Sequence, residues 1–305
     1  GYGQEALNCF GRMQLCGVSP DGFTYVGILK ACGIIKDAIN GQEFHLGIAK
    51  YGLLERNNVV GNALVDMYVK CGLVLDAQDV FDKLPVRDVV TWNVLIAGYI
   101  RYDFALEALK CYDRMEVDGI SPDAYTFAFV LKACGTMGYL NKGQEIHAHS
   151  QKNRTMEKNV VVGNALMDMY VKCDALAKAK EVFDMVKIRN TVSWNVMIGG
   201  YVKHGHDKEA LDYFEQMQLM SVPPNQITFV CVLKACGSTG DSGKGQEIHA
   251  QIVKEKLMEN DMILSNAVMD MYAKCGLLGK ARNVFDQLSL RNTSTWNVLI
   301  SGWLH

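Results

Sequence analysis

Apolar residues recur every three to four positions in short stretches along this chain, and polar or turn-forming residues close each stretch. Trp92, Leu95, Ile96 and Tyr99 share one stripe of a helix expected over 91–101. Ala105, Leu109, Tyr112 and Met115 share a second stripe just downstream, which ends at a turn carrying Gly119 and Pro122. Pro20, Pro85, Pro122, Pro223 and Pro224 all lie at the edges of such stretches, as brief turns between short helices require.

The pattern itself repeats. Gly-Asn-Ala-Leu-Val-Asp-Met-Tyr-Val-Lys-Cys at 61–71 returns nearly unchanged at 163–173 and, with Ser265 for the glycine, at 265–275. Asn62, Asn164 and Asn266 are therefore 102 residues apart, and Trp-Asn-Val at Trp92, Trp194 and Trp296 keeps the same spacing. So do Cys32, Cys134 and Cys236 in Lys-Ala-Cys-Gly. Each block divides into units of 35, 36 and 31 residues, here 89–123, 124–159 and 160–190. Two short antiparallel helices cannot bury their apolar faces alone, so neighbouring units must stack. The expected fold is all-α: a right-handed superhelical solenoid of helix-turn-helix repeats over residues 1–305.

The mean unit of 34 residues equals the tetratricopeptide period, so length does not choose the repeat type. The tetratricopeptide pattern Trp-x2-Leu-Gly-x2-Tyr is missing. Instead Val90-Thr91-Trp92-Asn93-Val94-Leu95-Ile96-Ala97-Gly98-Tyr99, with Glu107-Ala108-Leu109, Met115 and Gly119-Ile120-Ser121-Pro122-Asp123, resembles a pentatricopeptide repeat. The 35-, 36- and 31-residue alternation resembles the P, L and S motifs of the PLS subclass of plant organelles. That resemblance divides the chain into a partial P unit (1–21), L (22–57), S (58–88), P (89–123), L (124–159), S (160–190), P (191–225), L (226–261), S (262–292) and a partial P unit (293–305). It implies the RNA-recognition tract of an organellar C-to-U editing factor, in mitochondrion or chloroplast, with single-stranded RNA as partner and one base per repeat.

In that family the fifth and last residues of a unit discriminate the base. The matching positions are Asn62 with Asp88, Asn164 with Asn190 and Asn266 with Asn292 in S units, and Asn93 with Asp123 and Asn195 with Asn225 in P units. Asn297 opens the last P unit. L units carry Val26, Ala128 and Val230 there, which offer no hydrogen bond. An Asn amide is both donor and acceptor, an Asp carboxylate suits the N3–H of uracil, and an Asn amide suits the N3 acceptor of cytosine. Family usage agrees, and units 58–292 read 5′-UUxCCxC-3′. The resemblance also gives Val59, Val90, Val161, Val192 and Ile263 as residues that sandwich the bases; Ser294 breaks this series. Eight residues after five of the asparagines stand Lys70, Arg101, Lys172, Lys203 and Lys274, a row suited to backbone phosphates.

That row matters because the formal net charge is only −2, so no global basicity points to nucleic acid. Both features have plainer readings. Asp or Asn at each unit end, including Asp21, Asn57, Asn159 and Asp261, is a preferred helix N-cap worth about 1 kcal/mol. Cations near a helix C-terminus complement its dipole. His45, His147 and His249 are expected to pack rather than hold a metal, the cysteines to be free thiols, and Trp92, Trp194 and Trp296 to be core.

No cofactor is expected. Neither H-x-E with P-C-x-x-C of a zinc deaminase nor a Gly-rich phosphate loop occurs, so no enzyme is expected in this stretch. The first residues carry no signal-like segment and read as a fragment boundary, and no apolar run is long enough to span a membrane. A competing reading is a protein-interaction solenoid, with accessory editing factors of the MORF family or peptides docking on L units. Half-units at the two ends are expected to favour self-association.

Overall fold

The computed structural model describes residues 2–56, 58–152, 159–258, 261–288 and 290–303, and every regular element among them is an α-helix. The chain forms two compact units, Gly1–Thr155 and Met156–His305. The first holds α1 (Gly3–Leu15), α2 (Gly22–Ile35), α3 (Ala38–Lys50), a one-turn α4 (Leu53–Arg56), α5 (Asn58–Lys70), α6 (Val74–Lys83), α7 (Val89–Arg101), α8 (Ala105–Val117), α9 (Ala124–Met137) and α10 (Leu140–Lys152). The second holds α11 (Val160–Lys172), α12 (Leu176–Met185), α13 (Thr191–Lys203), α14 (Asp207–Leu219), α15 (Gln226–Thr239), α16 (Ser242–Lys254), α17 (Met262–Lys274), α18 (Leu278–Gln287) and α19 (Thr293–Gly302). No described helix is long and apolar enough to cross a membrane.

Most first helices of the repeats start where Asp or Asn supplies a cap. Asp21, Asp88, Asp123, Asn190, Asn225 and Asn292 sit in extended backbone and accept the N–H three residues on. Each thereby satisfies one of the amides that a helix start leaves unpaired. At all of these except Asp21, a Thr or Ser hydroxyl at that third position accepts the cap residue's own N–H, which closes a capping box. The cap at Asp88 starts α7 at Val89 rather than at Thr91, because the first turn is held by the cap and not by the apolar stripe. Asn159 and Asp261 cap α11 and α17. Asn57 lies outside the described residues.

Between the paired helices of the 31- and 35-residue units the chain turns through one left-handed residue, namely Gly72, Asp103, Asp174, Gly205 or Gly276, with φ from 59° to 84°. Glycine and aspartate are among the residues that adopt this region at least cost.

Within each unit the first helices of successive repeats pack side by side: α2, α5, α7 and α9 in one, α11, α13, α15, α17 and α19 in the other. Second helices wedge between their own first helix and the next, as α6 does between α5 and α7 and α14 between α13 and α15. The first helices approach closely because of glycine. A Cβ at Gly98 would stand 2.7 Å from Val69 Cγ2, and one at Gly200 would stand 2.8 Å from Val171 Cγ2.

Aromatic residues fill the space beneath. Trp92 and Trp194 are fully buried, meeting Phe81 and Phe183 edge-on at ring distances of 4.5 and 4.9 Å. Trp296 meets Phe285 at 4.6 Å but is 49% exposed, against the core position expected of it. The reason is packing: α8 covers Trp92 and α14 covers Trp194, whereas no described helix follows α19.

His45 and His249 hydrogen-bond Tyr68 and Tyr272 of the following repeat at 2.9 Å through Nδ1, so each joins two repeats. Burial, with a lysine nearby (Lys83 and Lys280), lowers both histidine pKa values below the ordinary one. Burial pushes the thiols of Cys32 and Cys236 up to about 12, which suppresses the reactive thiolate.

Candidate nucleic-acid interface

The side-by-side first helices bring the fifth residue of one unit against the cap residue of the next helix. Asn62 Nδ2 donates to both carboxylate oxygens of Asp88, at 3.3 and 3.4 Å. Asn93 Nδ2 donates to Asp123 at 3.0 Å, Asn164 Nδ2 to Asn190 at 3.3 Å, and Asn195 Nδ2 to Asn225 at 3.0 Å. Four of the paired positions are thus brought together within hydrogen-bond distance. Capping and pairing fall on the same atoms, since Asp88, Asp123, Asn190 and Asn225 use Oδ1 for both.

The fifth pair is not formed. Asn266 Nδ2 donates instead to Ser294 Oγ at 3.3 Å, and the side-chain amide of Asn292 faces Met262 Sδ at 4.0 Å. Ser294 stands where the other units carry Val90 or Val192, and only its hydroxyl can compete for the amide. Asn266 Oδ1 is left buried without a partner among the described residues. Asn297 is exposed on α19.

Open slots lie over two of the pairs. One cavity of about 390 Å³ is lined by Asn93 and Asp123, by Val90 and Tyr125 on either side, and by Phe129 and Arg101. Its counterpart of about 400 Å³ is lined by Asn195 and Asn225, Val192 and Ile227, and Lys203. Val59, Val90, Val161, Val192 and Ile263 are all exposed apolar side chains, as a wall facing solvent must be. Tyr125 and Ile227 form the opposite walls. They sit at the second position of the 36-residue units, the same place as the valines, so the signal was in the sequence but went unused there.

The cations divide into two kinds. Lys70, Lys172 and Lys274 are tied at 2.7, 2.6 and 2.7 Å to Asp66, Asp168 and Asp270 one helical turn earlier. Arg101 and Lys203 make no ion pair among the described residues, because Ala97 and Gly199 occupy the matching positions one turn back. Asp88 carries its own electrostatic signature. Burial opposes its ionisation, but hydrogen bonds from the Thr91 backbone and hydroxyl and from Asn62 outweigh it and hold the carboxyl below its ordinary pKa. It is therefore an acceptor at neutral pH.

Two further groups support the site. Arg87 and Arg189 directly precede Asp88 and Asn190 and donate through Nε to the carbonyls of Phe81 and Phe183 at 3.0 Å. They stack over those rings at 5.3 and 4.5 Å, which fixes the chain leading into each cap. Thr91, Thr126, Ser193 and Thr228, buried beneath the pairs, donate their hydroxyls to the fifth-position asparagines. Among the described residues no cluster of three or more His, Cys, Asp or Glu could hold a metal.

The PPR repeat family model matches residues 87–136 and 189–238, and the PPR repeat model matches 62–89, 164–190 and 263–292, together more than half of the chain. The chain belongs to the pentatricopeptide repeat family. It is 38% identical over 311 residues to a chloroplastic pentatricopeptide repeat-containing protein of Arabidopsis thaliana, covering 98% of this chain and 35% of that protein. It is 34% identical over 330 residues to a mitochondrial one from the same plant, covering 100% and 36%. The chain thus spans about a third of the length of these relatives.

The pentatricopeptide repeat protein PPR10 in complex with an 18-nt psaJ RNA element matches with a TM-score of 0.70 at 19% identity, over 99% of this chain and 50% of that one. PPR10 from maize matches with a TM-score of 0.51, over 99% and 54%. The likeness shows the fold, a pentatricopeptide stack of helical hairpins.

Proposed function

We propose that this chain binds single-stranded RNA along its row of Asn–Asx pairs, each pair taking one base of a target of the form 5′-UUxCCxC-3′. The observation that carries this reading is the recurrence of one arrangement. At Asn93–Asp123 and again at Asn195–Asn225, a pair whose cap residue holds the next helix lines an open slot together with apolar side chains. Apolar walls give stacking affinity that tolerates any base, and the polar floor gives discrimination. The RNA in the PPR10 complex supports the ligand class. Relatives named chloroplastic or mitochondrial support an organellar location. The chain serves, in this proposal, as the PLS-type site-recognition tract of an organellar C-to-U editing factor, with any chemistry on the RNA performed elsewhere.

The test is a titration of labelled UUACCAC against this protein, beside a strand with the pyrimidines exchanged for purines and a DNA version, at two salt concentrations. Binding that is lost on the purine exchange is expected. Equal affinity for both strands would overturn the base code, and no binding at either salt would point to protein partners, such as accessory editing factors, instead.

The divided cation row makes a second expectation. Lys203→Ala should lower the slope of log affinity against log salt by about one, the loss of roughly one phosphate contact. Replacing Lys172 and Asp168 together by Ala should leave the slope almost unchanged, because the pair carries no net charge. Affinities at four salt concentrations decide this. An equal change in both variants would mean that the internal ion pairs open on binding.

A further inference from the structure

Each Asn–Asx pair rests on a hydroxyl that belongs to the next helix. Thr91, Thr126, Ser193 and Thr228 are buried, with at most 1% of their surface exposed. Each accepts the backbone N–H of its cap residue, at 3.3, 3.1, 3.2 and 3.0 Å respectively. The single hydroxyl proton has two acceptors within reach, the cap Oδ1 and the Oδ1 of the fifth-position asparagine from the preceding unit. The asparagine is the nearer one each time. The distances are 2.7 against 3.0 Å for Thr126, 2.7 against 3.1 Å for Ser193 and 2.6 against 3.1 Å for Thr228, with Thr91 in the same order.

We propose that these hydroxyls are positioning groups, which lock the amide orientation of the base-reading asparagine and so decide which hydrogen-bonding edge the base meets. The proposal rests on the base-reading function above. Its physics is a matter of donors and acceptors. With Oδ1 of Asn93 held by Thr126, Nδ2 must face Asp123 and presents its second N–H to the slot. If the amide turned over, its oxygen would face the oxygen of the cap residue, acceptor against acceptor, and the Thr126 hydroxyl would lose its nearer acceptor. Once the hydroxyl is gone, the inner Oδ1 has no partner and only the cap oxygen still favours one orientation, so the edge shown to a base is less firmly fixed.

The 262–292 unit supplies the contrast. The hydroxyl of Thr295 reaches only Asn292, at 2.9 Å, and there Asn266 has swung to Ser294 with its oxygen unpaired.

The test compares Thr126→Val, which keeps shape and removes the hydroxyl, with Thr126→Ser, which keeps it. Thr24→Val is the control, because the Thr24 hydroxyl donates to the cap Asp21 at 2.9 Å but meets no asparagine. Two readouts are needed. The first is the order of the Asn93 side-chain NH2 by NMR in the free protein, with its signals assigned by their loss in Asn93→Asp. The second is the ratio of affinities for strands carrying U or C at the second base of the target.

In the free protein the amide should be rigid in wild type and in Thr126→Ser, and mobile in Thr126→Val. The U-to-C ratio at that base should fall about tenfold in Thr126→Val alone, the scale of one base-edge contact. Thr24→Val should leave the ratio unchanged. An amide equally rigid in Thr126→Val, or an unchanged ratio there, overturns the proposal and leaves the hydroxyl as a cap only. A wild type that shows no preference between U and C while its amide loosens in Thr126→Val counts against base reading and not against the hydroxyl lock.

Discussion

Asp123→Asn should move the base preferred in the second position of the target from U to C, and Asn225→Asp should move the fifth from C to U. In each case the helix cap survives. Oδ1 of residue 123 accepts the Thr126 backbone N–H at 2.8 Å and the Asn93 amide at 3.0 Å, which either residue type can do. That network dictates what remains for a ligand. An aspartate then turns its second carboxylate oxygen to the slot, an acceptor for the N3–H of uracil. An asparagine in the same fixed orientation turns its NH2 to the slot, a donor for N3 of cytosine.

The expected change in preference is roughly 1–3 kcal/mol at that base and nothing at its neighbours. The melting temperature should stay constant, because Asp and Asn are near-equal caps. Affinities for strands that differ in one base, with thermal melts alongside, measure both. A melting temperature that falls while the preference holds would assign these residues to capping alone.

The sequence carried most of the architecture because the repeats place the same stripe at the same register three times. Trp92, Trp194 and Trp296 mark one helix face, and Asp or Asn before each first helix marks its start. What it left hidden depends on contacts between repeats. Thr91 lies in the helix after Asn62, 29 residues on, and no periodic pattern links a hydroxyl to an amide across that distance.

Ser294 was visible as a break in the valine series. Its effect was not, since the diversion of Asn266 depends on the spacing of α17 and α19. The ion pairs of Lys70, Lys172 and Lys274 were legible and went unread: an Asp stands four residues before each, a spacing that places both on one helix face. Regular spacing of cations along the chain therefore overstated the charge free to meet phosphate.

The second large effect concerns the floor beneath the slots. Trp92→Ala and Trp194→Ala should each destabilise the protein by about 3–5 kcal/mol, the range for deleting a fully buried large aromatic. Trp296→Ala should cost distinctly less. The three residues share one local sequence and one edge-on Phe partner, yet they are 0%, 2% and 49% exposed, so burial alone separates them.

Stability in a repeat stack is carried by each repeat and its interfaces with its neighbours, so the loss should be felt first around the altered helix. Trp92 directly precedes Asn93 on α7, and the Arg114 guanidinium lies over its ring at 5.7 Å. A cavity at that point frees the turn that aims the asparagine. Discrimination at the second base should therefore fall together with stability in Trp92→Ala, while the bases read by 160–190 and 191–225 keep theirs. Urea unfolding of the three variants, read beside their single-base affinity ratios, decides the matter. Equal destabilisation by Trp296→Ala would mean that the Phe contact, and not burial between helices, holds these indoles.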